Sequence, residues 1–162
     1  MARAIWSRSL NSSRGSYAPP GKLGKKGYPL SGVYRRIQDK ELFLAAYGKL
    51  YANSGATTAG IDPEDTVDGM SIERIEKILQ QLHDGRYQWK PVRRVHIPKT
   101  NGKQRPLGIP SWSDKLLQEV IRMVLEAYYE PRFSSYSHGF RPHRSCHTLS
   151  TLPGDSDIDS RQ

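Results

Sequence analysis

Acidic residues are missing from two long stretches of this chain, and what fills those stretches is basic. Residues 1–38 hold no Asp or Glu but eight Lys or Arg. From Arg86 to Arg105 there is again no acid, against Arg86, Lys90, Arg93, Arg94, Lys99, Lys103 and Arg105. Apolar residues reach only 36%, too few for composition alone to promise a large self-contained core. The 162 residues nevertheless leave room for one domain. No apolar run approaches the roughly eighteen residues of a membrane span, which excludes one. The single cysteine, Cys146, excludes an internal disulfide and suits a reducing compartment. No secretory signal is visible.

What remains is charge. The net charge is +9, and the last ten residues, with Asp155, Asp157 and Asp159 against Arg161, contribute −2, which leaves +11 on residues 1–152. Such a balance favours polyanionic partners, with anionic membrane surfaces a weaker second choice. Gly, Ser and Pro punctuate residues 1–38, so this segment is expected to be largely irregular. It reads either as an organellar transit peptide or as a basic arm that folds onto RNA.

Three helices and a hairpin are expected. Glu41 to Tyr51 places Leu42, Ala46, Lys49 and Leu50 near one face. Ser71 caps a helix running to Asp84, with Glu73 in its first turn, Ile72, Ile75, Ile78, Leu79 and Leu82 at helical spacing, and Gly85 as the left-handed stop. Asn53 to Gly69 lies between them as a loop. Val95 and Ile97 alternate with Arg94 and His96 at strand period, Asn101-Gly102 supplies the turn, and Lys103 to Ile109 returns as an edge strand because of Pro106. The longest helix spans Trp112 to Glu130. Ser111 and Asp114 form its capping box, Leu116, Leu117, Val120, Ile121, Val124, Leu125 and Tyr128 its apolar stripe, and Pro131 ends it.

A cationic hairpin is either a solvated face or a grip for phosphate, and the charge run by itself leaves both open. Arg141 and Arg144 add a second phosphate-sized clamp downstream. Asp155, Asp157 and Asp159 open a calcium-loop pattern, but Ser160 stands where that loop needs Gly, so an acidic tail is the simpler reading. His138, His143, Cys146 and His147 suit zinc chemically, yet all four crowd within ten residues instead of the usual paired spacing. The alternative is that His138 and His143 flank a nucleic-acid path while Cys146 packs on a helix. A Cys146–His147 nucleophilic pair is disfavoured, because adjacent helical residues point about 100° apart and do not pair easily. The Gly21 to Gly27 segment lacks P-loop order.

Four blocks in series carry a family resemblance: ELFLAAYGKLY, GIDPEDTVDGMS, PVRRVHIPKTNGKQRPLGIPSWSDKLLQEVIRMVLEAYYEP and FSSYSHGFRPHRSCHT. Together, from about Tyr34 to Leu149, they resemble the fingers of group II intron-encoded reverse transcriptases and maturases. The resemblance implies an α+β fold, mostly helical reverse-transcriptase fingers with one β-hairpin. It divides the chain into a basic extension (1–38), a fingers-like region (39–149) and a divergent acidic tail (150–162). It puts Lys99 and Arg105 on the incoming triphosphate, Arg93 along the template, and Arg141 and Arg144 beside it. Arg94 and Lys103 complete the set of nucleic-acid-binding candidates on the cationic hairpin.

The family's metal-binding aspartates belong to a palm, and their motifs are not found here; after Leu149 Pro153 and Gly154 break the expected helix. The palm is therefore expected to be absent, with no catalytic residue, no metal site and no cofactor in this chain, although Mg2+ is expected for the complete enzyme. The expected partners are RNA, either intron RNA or template, and a palm-containing fragment, with no membrane. The expected function is that of a truncated reverse transcriptase, inactive alone. The alternative is a non-catalytic RNA-binding protein domesticated from one, acting in a ribonucleoprotein or in splicing. A bacterial cytoplasm is the expected location, a mitochondrion or chloroplast the alternative.

Overall fold

The computed structural model describes residues 20–53, 57–141 and 143–145. In chain order it contains helices α1 (Pro20–Lys25), α2 (Val33–Arg36), α3 (Lys40–Tyr51) and α4 (Ile72–His83), strands β1 (Arg93–Pro98) and β2 (Gln104–Ile109), helix α5 (Trp112–Tyr129), and a 3-10 turn over Glu130–Arg132. Among the described residues, helices with one two-stranded sheet are consistent with the expected α+β class.

α5 is the axis of the molecule. Its start is fixed by Ser111, whose Oγ accepts from the Asp114 N–H at 3.4 Å and donates to the Asp114 carboxylate at 2.9 Å. This satisfies one of the orphan donors of a helix start and sets an acid against its positive end. Leu116, Leu117, Val120, Val124 and Tyr128 are buried as the stripe requires, while Leu125, expected within it, is 38% exposed. Trp112 sits at the helix's first position, 2% exposed, with its ring 5.6 Å from that of Tyr47. The helix stops at Tyr129 and tightens to 3-10 geometry around Pro131, which has no N–H to continue the ladder.

α3 and α4 supply the rest of the core. Asp39 caps α3, accepting from the Glu41 N–H at 3.0 Å, and Leu42, Phe43 and Ala46 are buried. Phe43 lay outside the expected face; the buried stripe is wider than one row because α5 lies across it. Lys49, expected on that face, reaches over to Glu119 at 3.2 Å. α4 begins at the Ser71 cap and ends before Gly85 (φ 67), both as expected. Ile75, Ile78 and Leu82 enter the core, but Ile72, 53% exposed in the first turn, lies beyond its edge.

Residues 1–38 were expected to be largely irregular; between Pro20 and Arg36 the structure has two short helices, α1 and α2, joined by irregular chain. Gly24 of α1 lies directly on the end of α5, where an added Cβ would stand 2.1 Å from the Tyr128 carbonyl oxygen. The Tyr128 hydroxyl donates to the Tyr28 carbonyl at 2.8 Å, and the Tyr34 hydroxyl donates to the Leu82 carbonyl. Arg36 is buried and donates to the Ser31 carbonyl at 3.1 Å. The missing side chain of Gly24 and two tyrosine anchors thus fix a basic segment that its composition alone left open. Residues 1–19, Cys146, His147 and the acidic tail lie outside the described residues.

Two glycines test this packing in opposite directions. Gly24→Ala is expected to destabilise by about 1–3 kcal/mol, because the overlap is with backbone that cannot step aside. Gly48, inside α3 with nothing within 4 Å of an added Cβ, is expected to stabilise as Gly48→Ala by about 1 kcal/mol. Urea unfolding of the two variants measures both; a neutral Gly24→Ala would mean that α1 is not docked on α5.

Candidate nucleic-acid interface

The hairpin stands away from the helices. All of β2 is exposed except Ile109, and in β1 only Val95 and Ile97 are partly covered. The strands pair antiparallel with Arg93 opposite Ile109, Val95 opposite Leu107 and Ile97 opposite Arg105. Residues directly opposite share a face. One face therefore carries Arg93 and Arg105 with four aliphatic side chains between them, and the other carries Arg94, His96 and Pro98 over Gly108, Pro106 and Gln104. Arg94 is thus separated from Arg93.

The Asn101-Gly102 turn forms as expected. The Gly102 N–H donates to the Lys99 carbonyl at 3.0 Å with φ 76 at Gly102, the Lys99 N–H donates to the Lys103 carbonyl at 2.7 Å, and the Asn101 Oδ1 accepts from the Lys103 N–H at 3.2 Å. Lys99 and Lys103 so face each other across the turn, continuing the row of Ile97 and Arg105. Among the described residues, Arg94, Lys99, Lys103 and Arg105 form no ion pair.

At the base of the hairpin the structure adds a cation that sequence reasoning missed. Arg93 donates through Nε to the Ala59 carbonyl at 3.1 Å, and Lys115 of α5 donates to the neighbouring Thr58 carbonyl at 2.7 Å. Partial burial, and then the Arg93 charge, push the Lys115 ammonium below its ordinary range. The loop reaches this position because of Gly60, where a Cβ would meet the Ser111 Cα at 2.7 Å. In sequence, Lys115 beside Asp114 reads as ordinary helix-surface charge.

Two buried carboxylates hold this base in place. Asp65, fully buried, accepts from the Ser113 N–H at 3.1 Å, the Ser113 hydroxyl at 2.8 Å and the Lys90 ammonium at 3.4 Å, with Arg74 at 3.8 Å. Asp114 accepts from the Tyr87 hydroxyl at 2.7 Å and the Lys90 N–H at 3.0 Å. Burial, and then this bond to Asp114, push the Tyr87 phenol far above its usual range. A hydrogen bond to Asp62 at 2.8 Å chiefly raises Lys90, while the same bond and the Glu64 N–H lower Asp62. Behind this network a cleft of about 310 Å³ opens beside α4, walled by Arg74, Lys77, Arg86 and Lys90.

Arg141 and Arg144 were expected beside the template, and the structure places them within their own loop. Arg141 is 7% exposed, gripping Glu130 at 2.8 Å and the Ser134 and Ser137 carbonyls at 2.8 and 2.7 Å, with its guanidinium 5.1 Å from the centre of the Phe133 ring. Arg144 donates to the Ser135 carbonyl at 2.7 Å and lies 3.3 Å from His138 Nε2. His138 is buried against this loop. Among the described residues no three His, Cys, Asp or Glu side chains gather as a metal site needs.

No family model matches this chain. Group II intron-encoded protein LtrA of Lactococcus lactis subsp. cremoris is 54% identical over 117 residues, which cover 72% of this chain and 19% of that protein. An uncharacterized 91 kDa protein in the cob intron of Schizosaccharomyces pombe is 48% identical over 128 residues, covering 76% and 16%. Nuclear intron maturase 1, mitochondrial, of Arabidopsis thaliana is 52% identical over 127 residues, covering 67% and 17%. The chain spans about a fifth or less of the length of these relatives.

Asp65→Ala is expected to cost about 3–5 kcal/mol in urea unfolding, since it strands buried donors and an ammonium at once. A loss smaller than about 1 kcal/mol, the worth of an exposed pair, would show that Asp65 does not hold the base. The Asp62–Lys90 pair sets a pH dependence of known sign. Asp62 titrates below its ordinary 3.8, so its contribution is complete above that value and is lost as pH falls through the lower folded value. Lys90 titrates above 10.5, so its contribution is complete below that value and is lost as pH rises through the folded one. Asp62→Asn is expected to flatten the acid limb of the thermal midpoint against pH; an acid limb identical to wild type would contradict the pairing.

Proposed function

This chain is, over 72% of its length, a segment of the group II intron-encoded protein and intron maturase family, and from that premise we propose that it is a reverse-transcriptase fingers region that grips RNA through its hairpin. The observation that supports this is the row of Arg93, Lys99, Lys103 and Arg105 on an element that the core barely covers, with no carboxylate beside the last three. Unpaired cations on an exposed ribbon repel one another, and a phosphate backbone relieves that repulsion while releasing its own counterions.

Within this reading the side chains divide by chemistry. Arg105 offers two parallel donors to a phosphoryl group and Lys99 a point charge at the tip, which suits the two of them to the oxygens of a nucleoside triphosphate and, when none is bound, to phosphates of the RNA. Arg93, held at the hairpin base by the Ala59 carbonyl, and Lys103 face the strand of RNA. Arg94 serves from the opposite face. Arg141 and Arg144 act by shaping their own loop, into which the Arg141 guanidinium donates through all three nitrogens and Arg144 through one.

The partner proposed is group II intron RNA or a template strand. Among the described residues the acidic side chains form no cluster that fits Mg2+, so no metal-dependent step is assigned to them. The relatives include a bacterial protein and one named mitochondrial, compatible with a bacterial cytoplasm or an organelle. No helix among the described residues is long and apolar enough to cross a membrane.

The test is the salt dependence of binding to labelled intron RNA. Replacing Arg93, Lys99 and Arg105 together by Gln is expected to reduce the log–log salt slope by about three units, one for each cation that meets a phosphate. An unchanged slope in that triple variant would move the RNA-binding surface off the hairpin.

A further inference from the structure

The loop that follows α5 displays one side chain in a way that its own fold does not explain. Phe140 is fully exposed, and its backbone is left-handed, with φ 57. That region suits glycine and, less well, Asn or Asp; for a bulky side chain it is strained. Gly139 immediately precedes it, yet the left-handed position falls on the phenylalanine. The fold thus carries two unfavourable terms here, a strained backbone and an apolar ring in water, and neither is offset by any contact within the described residues.

The ring nevertheless stands on a braced support. Arg141, the next residue, ties the Ser134 and Ser137 carbonyls to Glu130 and lies over Phe133. Arg144 closes the far side through the Ser135 carbonyl. A floppy loop would let the ring fold back onto the protein, whereas this one keeps it outward.

We propose that Phe140 is a stacking platform for an unpaired RNA base. The chemistry around it selects that occupant. From Pro131 to Ser145 the sequence holds no acid against Arg132, Arg141 and Arg144, and among the described residues Glu130, just before that stretch, neutralises Arg141 alone. A nucleobase needs only one flat face beside a positive field, and an aromatic side chain supplies that face whatever the base. The inference rests on the RNA-binding reading above and gives it a preference for single-stranded segments.

The probes are a fluorescein-labelled single-stranded RNA of mixed sequence, the same strand annealed to its complement, and a 2-aminopurine version of the single strand. With the full chain, Phe140→Ala is expected to weaken single-strand binding about 10-fold, to leave duplex binding unchanged, and to abolish the quenching of 2-aminopurine. Its salt slope is expected to match wild type, because every cation that meets a phosphate is still in place. Phe140→Trp should retain binding and Phe140→Leu should lose it. Phe140→Gly should bind as poorly as Ala while raising the thermal midpoint, since it removes the strained residue and nothing else. Wild-type affinity in Phe140→Ala overturns the stacking role and leaves the hairpin reading intact, as does a Phe140→Ala variant that keeps RNA binding but loses self-association. Equal losses on both RNAs with a reduced slope also overturn it, because the contact would then be electrostatic. If the wild-type chain binds neither RNA, both readings fall together.

Discussion

The amino end of α5 holds two buried carboxylates, and the position of every other element near the hairpin depends on them. Asp65 and Asp114 are charges taken out of water, a costly act unless each oxygen finds donors. They find them on three separate pieces of chain: the first turn of α5 through Ser111 and Ser113, the segment before β1 through Tyr87 and Lys90, and, at longer range, α4 through Arg74. The helix start adds its own positive end to the same site. Because the donors lie on different segments, satisfying the two acids fixes where β1 begins relative to α5. The hairpin's position is therefore set by polar chemistry at its root, while its strands take almost no part in the apolar core.

The basic residues fall into two populations. Arg74, Lys90, Arg122 and Arg141 each have an acid beside them and serve the fold. Arg122 shows the pattern within one helix, donating to Glu119 at 2.8 Å and also to Glu126. Among the described residues Arg94, Lys99, Lys103 and Arg105 have none, and all four are exposed. Sequence counts the two populations alike. The field that a polyanion meets is made by the second, because a charge neutralised at close range contributes little beyond a few ångströms.

The elements legible in sequence were those written in local code. Ser71, Ser111, Gly85 and Asn101-Gly102 each specify a cap or a turn through bonds that span a few residues, and the structure has them all. The stripe of α5 was legible for the same reason, apart from its rim at Leu125. What escaped were contacts between distant residues. The Tyr128 hydroxyl meets the Tyr28 carbonyl across 100 positions, and the docking of α1 turns on a side chain that Gly24 lacks. Phe43 and Trp112 are core because α3 and α5 cross, which periodicity within either helix does not reveal. The site was half legible in the same sense. The hairpin cations could be read from the charge run, whereas the inward turn of Arg141 and the approach of Lys115 to Thr58 follow from folded geometry alone.

A sheet of two strands has only edges. Among the described residues, both outer margins of this hairpin offer free backbone donors and acceptors, and Val95, Ile97, Leu107 and Ile109 share one face, a pattern that invites a second molecule to add its own strand. Pro98 and Pro106 interrupt those margins, and the four unneutralised cations do the remainder, since two such ribbons approaching edge to edge must bring like charges together. The charge proposed to capture RNA is thus also the chain's colloidal protection. The two uses are coupled: whatever removes the positive charge from the ribbon, by substitution or by a polyanion too short to cover it, leaves a sticky strand pair behind.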